Sequence, residues 1–523
     1  MAAPATRSVS LGELSAGLPG LAGTAPAGAE AAVEISDLAY DSRRAGPGVL
    51  FFCVSGFRAD GHDFAPAAVA AGAAALVVER PLGLGVPELR VASVRRAMAP
   101  VASRFYGEPA RALRVVGVTG TNGKTTSAYL IQSLLQAGGS SCGLLGTVKS
   151  VIGGREREVQ RTTPEAVDLQ ADLRAMLDGG DESCVMEVSS HALELSRTDA
   201  IGFAAALFTN LTQDHLDFHP TMEDYYLAKR KLFLGGGDRV DDGTPLPGLS
   251  VVNAGDPYGR RLAEELTDSD LPAVTFAVEA AADYSATELR CGFSGCEFKL
   301  TTPAGERRVA LPMPGHFNVA NAIGALAVAH GLGVPLDECV ATLERGVRVP
   351  GRFEPVDRGQ DFAVLVDYAH TPDSLENVLQ AARELVDETK GPGGRVLCVF
   401  GAGGDRDRGK RPLMGGISAR LADCTIVTSD NPRSEDPEAI IREILAGVAP
   451  SAGHSTAAVT DRRSAIEQAV REARAGDVLV IAGKGHEQGQ EFEGGRKLPF
   501  DDMTVAREAL DARLAATTGS VSP

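Results

Sequence analysis

An α/β fold built as three domains follows from three features of the sequence. Short runs of Val, Leu and Ile alternate with stretches of helical spacing along almost the whole chain. A strand, a Gly-rich turn and a helix follow one another around residue 120. The 523-residue length exceeds what one hydrophobic core ordinarily organises. The expected layout is a small α/β domain over 1–112, a central phosphate-loop domain with a mostly parallel sheet over 113–350, and a Rossmann-like domain over 351–523.

Composition narrows the function classes. Apolar residues make up 44% and charged residues 23%, values of a globular chain. The formal net charge of −18 argues against a nucleic-acid-binding surface. Near the N-terminus Arg7 is followed by no apolar core, so no signal peptide is expected. The longest apolar tract, Ala65 to Val78, contains Pro66 and Gly72 and reads as a core helix turning into a strand. No membrane insertion and a cytoplasmic location are therefore expected. Eight cysteines are scattered, with only Cys291 and Cys296 close together, so neither a zinc site nor a disulfide framework is expected.

In the first domain, Tyr40-Asp41-Ser42-Arg43 precedes the strand-like run Val49 to Val54. A polar loop from Ser55 to Asp63 follows, then an Ala-rich helix and the strand Ala75 to Val78. Ser42, Arg58 and Asp60 read equally as ligand contacts or as turn chemistry.

The central domain opens with the strand Leu113 to Val118, the turn Thr119-Gly120-Thr121-Asn122-Gly123-Lys124-Thr125-Thr126, and a helix through Leu135. Ala128, Ile131, Leu134 and Leu135 mark its apolar face. A Gly-rich turn at a helix start aims backbone N–H groups at phosphates. Lys124 can reach the outer phosphates and Thr125 can place a hydroxyl on Mg²⁺. Val118 stands where the common pattern has its first glycine, so the loop is a variant. Glu187 ends the strand Ser183 to Val188, as a second Mg²⁺ anchor or as a plain strand-ending acid. After the strand Ala205 to Asn210, the loop groups Asp214, His215, Asp217 and His219, which could hold a metal. Lys229, Arg230 and Lys231 read as a solvated helix face. Asn318 and Asn321 lie three apart on one face of a helix that opens at Gly315.

The third domain begins where Val349-Pro350-Gly351 breaks the pattern. Its strand candidates are Ala363 to Val366, Val396 to Phe400, Thr425 to Thr428 and Val478 to Ile481. Each is followed by a polar loop: Asp367 to Pro372, Gly401 to Arg406, Ser429 to Arg433 and Ala482 to Glu487. In an open α/β sheet ligands bind beyond the carboxyl ends of the strands, so these loops predict a crevice. Taken alone, Asn431-Pro432-Arg433 is a turn with a solvated arginine.

These motifs, in this order, resemble the Mur ligases. The resemblance rests on Gly120 to Thr126, Glu187 to His191, Asn210 to His215, Tyr226 to Lys229, Gly315 to Asn321, Gly351 to Glu354 and Asp367 to His370, and runs from Asp41 to about Asp502. It implies ATP-dependent amide formation, in which a substrate carboxylate takes the γ-phosphoryl group and an amine displaces phosphate. Gly120, Thr121, Asn122, Gly123, Lys124, Thr125 and Thr126 would cradle the phosphates, and Asn318, Asn321, Arg352 and Asp367 the adenosine. Two Mg²⁺ ions are implied, one served by Thr125 and Glu187, the other by His215. Lys229 matches a lysine that takes up CO₂ as a carbamate and supports the second ion. Lys124, Glu187, His215 and Lys229 are thus the implied catalytic set.

For the acceptor, Tyr40, Ser42, Phe57, Arg58 and Ala59 match contacts to a UDP group. Thr162, Thr163, Ser189 and Arg197 match contacts to the muramoyl-dipeptide part, with Leu195 where relatives can carry a polar contact. Within the family the chain resembles the branch that adds meso-diaminopimelate to UDP-N-acetylmuramoyl-dipeptide. The tetrad Asp430-Asn431-Pro432-Arg433, with Arg406, Gly483 and Glu487, would read the amino acid. Arg433 offers a planar fork for a distal carboxylate, and leaving it unpaired would disfavour lysine. Lysine-adding or folylpolyglutamate-type ligases, a nucleotide-dependent switch or scaffold and a phosphate-loop kinase are the alternatives. A monomer is expected.

Overall fold

The computed structural model describes residues 7–18, 20–22, 26–56, 59–159, 161–235, 245–292, 294–388, 393–449 and 454–519. Among these no helix is long and apolar enough to cross a membrane. The chain forms two compact units. The first comprises 1–117, 139–206 and 228–248; the second comprises 118–138, 207–227 and 249–523. The strands Arg114–Thr119 and Phe203–Phe208 are each divided between them.

In the first unit a four-stranded parallel sheet runs Asp37–Ala39, Val49–Phe52, Ala75–Val78, Glu88–Arg90. Strands read as continuous apolar runs because both faces of a parallel sheet are covered. Leu50, Phe52, Ala75 and Val77 pack on one side with the helix Val94–Phe105. Val49, Phe51, Leu76 and Val78 pack on the other with Ala65 and Ala68. Asp60 caps the 3₁₀ turn Gly61–Phe64 and pairs with His62 at 2.6 Å and Arg80 at 2.8 Å, so its chemistry is that of a turn. The same unit holds the parallel pair Cys142–Leu145 and Ser183–Glu187.

The helix Ala166–Asp178 carries a strained acid. Burial pushes the Asp172 carboxyl up to about 6, Arg157 at 3.8 Å only partly opposes this, and Asp168 adds to it. A raised acid binds its proton more tightly folded than unfolded, so stability falls as pH rises from 4 towards 6 and the penalty is complete above that. Asp172→Asn should therefore stabilise the protein at pH 8 by roughly 1–3 kcal/mol, with the gain fading below about pH 4. Thermal melts of both proteins across pH 4 to 8 check the sign.

In the second unit the helix Lys124–Ala137 packs against His316–Gly331, and the strands Ser250–Asn253 and Ala273–Val278 run parallel. An antiparallel meander, Tyr284–Gly292, Gly295–Thr302 and Gly305–Leu311, extends that sheet. The sequence patterning did not announce this meander. Cys291 and Cys296 sit directly opposite one another on its first hairpin and are joined as a disulfide. The expectation is of no disulfide framework, and this is a single bridge: pairing across a hairpin brings together two thiols that sequence separation alone leaves undecided.

A six-stranded sheet completes the unit, in the order Glu354–Pro355, Ala363–Asp367, Val478–Ala482, Val396–Phe400, Cys424–Val427, Ser455–Ala458. All its neighbours are parallel except the first pair. The four predicted strands are present within one or two residues of their expected ends. Each opens at its carboxyl end into one of the predicted polar loops.

Candidate active site

The phosphate loop is shaped by two glycines. Gly120 has φ +147° and Gly123 φ +83°, and a Cβ would stand 1.9 Å from Thr209 Oγ1 at the first and 2.2 Å from Asn321 Oδ1 at the second. Only glycine fits at either position. Asn210 holds the loop, its backbone carbonyl accepting from Thr121 N at 2.9 Å and its Oδ1 from Asn122 N at 2.8 Å. The first intrahelical bond is Ser127 N to Gly123 O, so the amides ahead of it lie in the turn where a helix leaves donors for an anion. Lys124 Nζ folds back onto Gly120 O at 2.9 Å and Thr121 O at 2.8 Å. Thr125 and Thr126 are buried. A turn of this shape fits a nucleotide polyphosphate.

The predicted adenosine residues gather beside the loop. Asn318 and Asn321 are buried, 3.5 Å apart between Nδ2 of the latter and Oδ1 of the former, with Asn318 anchored on Pro314 O at 2.8 Å. Arg352 donates to Thr125 Oγ1 at 3.0 Å and lies 4.6 Å over the Tyr368 ring, while its buried Nε has no hydrogen-bond partner among the described residues. Asp367 accepts from Phe353 N at 2.6 Å and Ala369 N at 2.7 Å, leaving each oxygen further acceptor capacity. Burial raises its carboxyl, and Arg352 and the two amides oppose that. A cavity of about 1120 Å³ is lined by Asn318, Arg352, Pro314, Met313 and Phe353.

The loop after Phe203–Phe208 departs from expectation. Among the described residues no three of His, Cys, Asp and Glu converge as a metal would need. The His219 ring stacks 5.1 Å from Tyr225, and buried Asp214 faces His215 at 3.4 Å, Lys410 at 3.6 Å and His370 at 3.8 Å. Spacing along a loop does not set where side chains point: both histidines pack on Tyr225, His215 edge-on at 5.9 Å and His219 stacked. Burial raises Asp214, but His215, Lys410 and His370 outweigh it and hold the carboxyl well below its usual range. Burial, helped by Lys410, keeps His370 below the usual histidine range, and Asp214 opposes this. Nearby, Asn122 Nδ2 donates to Asp373 Oδ2 at 2.6 Å, which ties the phosphate loop to the helix Pro372–Glu388.

A second constellation lies in the first unit. Glu187 is buried, its carboxylate held by Thr147 N at 2.7 Å and Thr147 Oγ1 at 3.0 Å. An oxygen donor so held suits Mg²⁺. Thr163 Oγ1 donates to Glu187 O at 2.8 Å and accepts from Ser189 N at 3.1 Å. Thr162 joins Thr147 at 3.1 Å, and Ser189 caps the helix Ser190–Glu194. Arg197 donates to Thr163 O at 3.0 Å and pairs with Glu165 at 2.8 Å. Leu195 ends that helix as its C-cap. Tyr40 donates to Asp168, and Ser42 opens the 3₁₀ turn Ser42–Arg44. Ala59 is exposed, and Phe57 and Arg58 lie outside the described residues. Lys229, on the helix Met222–Leu234, is 1% exposed, which corrects the solvated-face reading: Tyr225, Tyr226, Leu232 and Phe233 of the same helix are buried, so this side turns inward.

At the C-terminal sheet the tetrad is tied to the next loop and to the strand Gly489–Phe492. Asn431 Nδ2 donates to Glu487 Oε2 at 2.8 Å, and Asn431 Oδ1 accepts from Lys484 Nζ and Glu491 N, both at 2.9 Å. A Cβ on Gly483 would stand 2.6 Å from Asp430 Oδ2. Arg406 is exposed. Pro432 lets Arg433 turn back with φ +50°. The Arg433 guanidinium is already engaged, Nε with Glu491 Oε2 at 2.9 Å and Nη1 with Gly404 O at 2.7 Å. This corrects the expectation of an arginine left unpaired against lysine. Thr147, Glu165, Asp373, Lys410 and Glu491 were not singled out from sequence; all lie on loops, helix starts or an edge hairpin near the predicted motifs, which is the one signal they gave.

Family models match three stretches of the chain. These are the "Mur ligase family, catalytic domain" over 34–106, the "Mur ligase middle domain" over 118–329 and the "Mur ligase, glutamate ligase domain" over 351–485. A UDP-N-acetylmuramoyl-L-alanyl-D-glutamate--2,6-diaminopimelate ligase of Geobacillus kaustophilus (strain HTA426) is 46% identical over 481 residues, 92% of this chain and 96% of that protein. The chain belongs to the Mur ligase family. A ligase of the same name from Listeria innocua serovar 6a is 44% identical over 93% of this chain and 96% of its own length. A solved structure of a ligase of that name matches with a TM-score of 0.68 and 33% identity, over 97% of this chain and 99% of that one.

Proposed function

We propose that this Mur ligase joins meso-diaminopimelate to the glutamyl carboxylate of UDP-N-acetylmuramoyl-L-alanyl-D-glutamate, with ATP becoming ADP and phosphate. The observation that carries this reading is the Asp430–Arg433 tetrad at the mouth of the C-terminal sheet, in a chain 46% identical to a ligase named for that reaction. The first domain, over 1–112, would hold the UDP end through Tyr40, Ser42 and the Phe57–Ala59 loop, with Thr162, Thr163, Ser189 and Arg197 on the peptide. The 113–350 part would bind ATP and the 351–523 part the amino acid.

The chemistry is that of meeting anions. A carboxylate attacks a γ-phosphoryl group, giving an acyl phosphate and ADP; the amine then displaces phosphate. Charge stabilisation and positioning do most of such work. Lys124 would swing from its two loop carbonyls to the phosphates, an exchange of partners within the same turn. Thr125 would exchange Arg352 for a metal ion, releasing that guanidinium towards the nucleotide. Thr125 and Glu187 would hold one Mg²⁺, and His215 with a carbamate on Lys229 a second; the ions supply charge neutralisation on the transferring phosphoryl group. Asp214, held ionised, orients His215 and Lys410.

A panel of amino acids, with the amide product weighed by mass spectrometry, tests the reaction. Diaminopimelate should give product with stoichiometric ADP, and lysine little. Phosphorylated acceptor without amide would instead favour a kinase. Arg433→Ala should lower the preference for diaminopimelate over lysine by roughly 100-fold in kcat/KM. An undiminished preference would remove Arg433 from the specificity account.

A further inference from the structure

Glu491 lies beyond every motif discussed from sequence, yet it is built into the tetrad. Its backbone N–H donates to Asn431 Oδ1 at 2.9 Å and its carbonyl accepts from Arg433 N at 3.0 Å. Its side chain meets Arg433 Nε at 2.9 Å, with side-chain exposures of 22% for Arg433 and 33% for Glu491. Gly403 packs close by, where a Cβ would stand 3.1 Å from Arg433 Nη1, so the arginine is held from both sides. The remaining polar atoms, Arg433 Nη2 and Glu491 Oε1, carry no hydrogen bond among the described residues. Of the other two acids of the site, Glu487 already accepts from Lys484 Nζ and Asn431 Nδ2, both at 2.8 Å, and Asp430 is buried and faces Arg462 Nη1 at 4.0 Å.

A cation and an anion thus stand side by side at one partly open spot. Their charges cancel, so the spot does not favour a lone anion as an isolated arginine would. It favours a ligand end that carries both charges on neighbouring atoms. The distal carbon of diaminopimelate bears an ammonium and a carboxylate together; lysine offers only the first. We propose that Arg433 and Glu491 form a two-pronged clamp for the distal amino-acid end of the incoming substrate, Arg433 taking its carboxylate and Glu491 its ammonium. This rests on the ligase reading above and adds Glu491 as a specificity-determining residue. Charge-assisted bonds on both groups of one tetrahedral carbon also make the clamp sensitive to that carbon's configuration.

The test compares diaminopimelate with 2-aminopimelate, which keeps the distal carboxylate and lacks the ammonium. The parent enzyme should prefer diaminopimelate by about 10- to 100-fold in kcat/KM. In Glu491→Gln, an isosteric change at a partly exposed site, that preference should fall to within about threefold, because the partner of the ammonium is gone. A preference that is absent in the parent, or undiminished in Glu491→Gln, overturns the clamp. Arg433→Ala run in parallel separates the two ideas. Loss of its preference over lysine, with the ammonium preference intact in Glu491→Gln, removes Glu491 alone. Retention of the preference over lysine by Arg433→Ala removes both.

Discussion

Lys124→Met should lose ligation by at least about a thousandfold in kcat. The first half of the proposed reaction presses a carboxylate against a polyphosphate, and Lys124 is the cation built into the phosphate loop itself. In the structure its Nζ rests on the carbonyls of Gly120 and Thr121, so it is stored within reach of the turn that would receive the phosphates. The same bonds bound the cost to folding. Removing two hydrogen bonds of the ordinary kind costs about 1–3 kcal/mol, so the variant should still melt cooperatively within several degrees of the parent. Initial-rate measurements of ADP release, beside a melting curve, check both statements. A variant that keeps a tenth of the parent's kcat would mean the phosphate charge is met elsewhere.

The parts of the fold that sequence made legible are those where one short signal decides the structure. Val49–Phe52, Ala75–Val78 and Val396–Phe400 are buried on both faces, and an unbroken apolar run has few other uses. The phosphate loop was legible because Gly120 and Gly123 occupy conformations that exclude other residues. The meander from Tyr284 to Leu311 was not, because polar residues alternate along it and its strands pair with no helix between them. Side-chain direction was the larger gap. Asp214 and His219 are five apart on one loop, yet one faces Lys410 and the other stacks on Tyr225. Arg433 read alone is a solvated turn arginine and takes its proposed carboxylate role only from the family resemblance, whereas its partner Glu491 comes from a hairpin that ties back through backbone bonds, a pairing local patterns do not encode.

Lys229 sets the strongest test of what resemblance adds to physics. Its neighbours Arg230 and Lys231 are only partly covered, Lys231 pairing with Glu194 at 2.6 Å, while Lys229 itself is 1% exposed. Burial of an ammonium is costly, and it favours the uncharged amine. An uncharged amine is the form that adds CO₂, releasing one proton and leaving a carbamate anion on Nζ. Carbamylated in this way, as proposed, Lys229 would present two oxygens in place of a cation, which is what a second Mg²⁺ would require. Lys229→Ala should therefore lower kcat by roughly 100-fold or more, since the proposed second metal ion would lose its support. Added acetate, small enough to enter the vacated space, should restore part of the rate in a saturable way, and it should leave the parent enzyme unaffected. Carbon-13 bicarbonate supplies a readout independent of turnover: the parent should show a carbamate carbonyl resonance that Lys229→Ala lacks. An alanine variant with full activity, or a parent without that resonance, would return Lys229 to the role of a buried structural lysine.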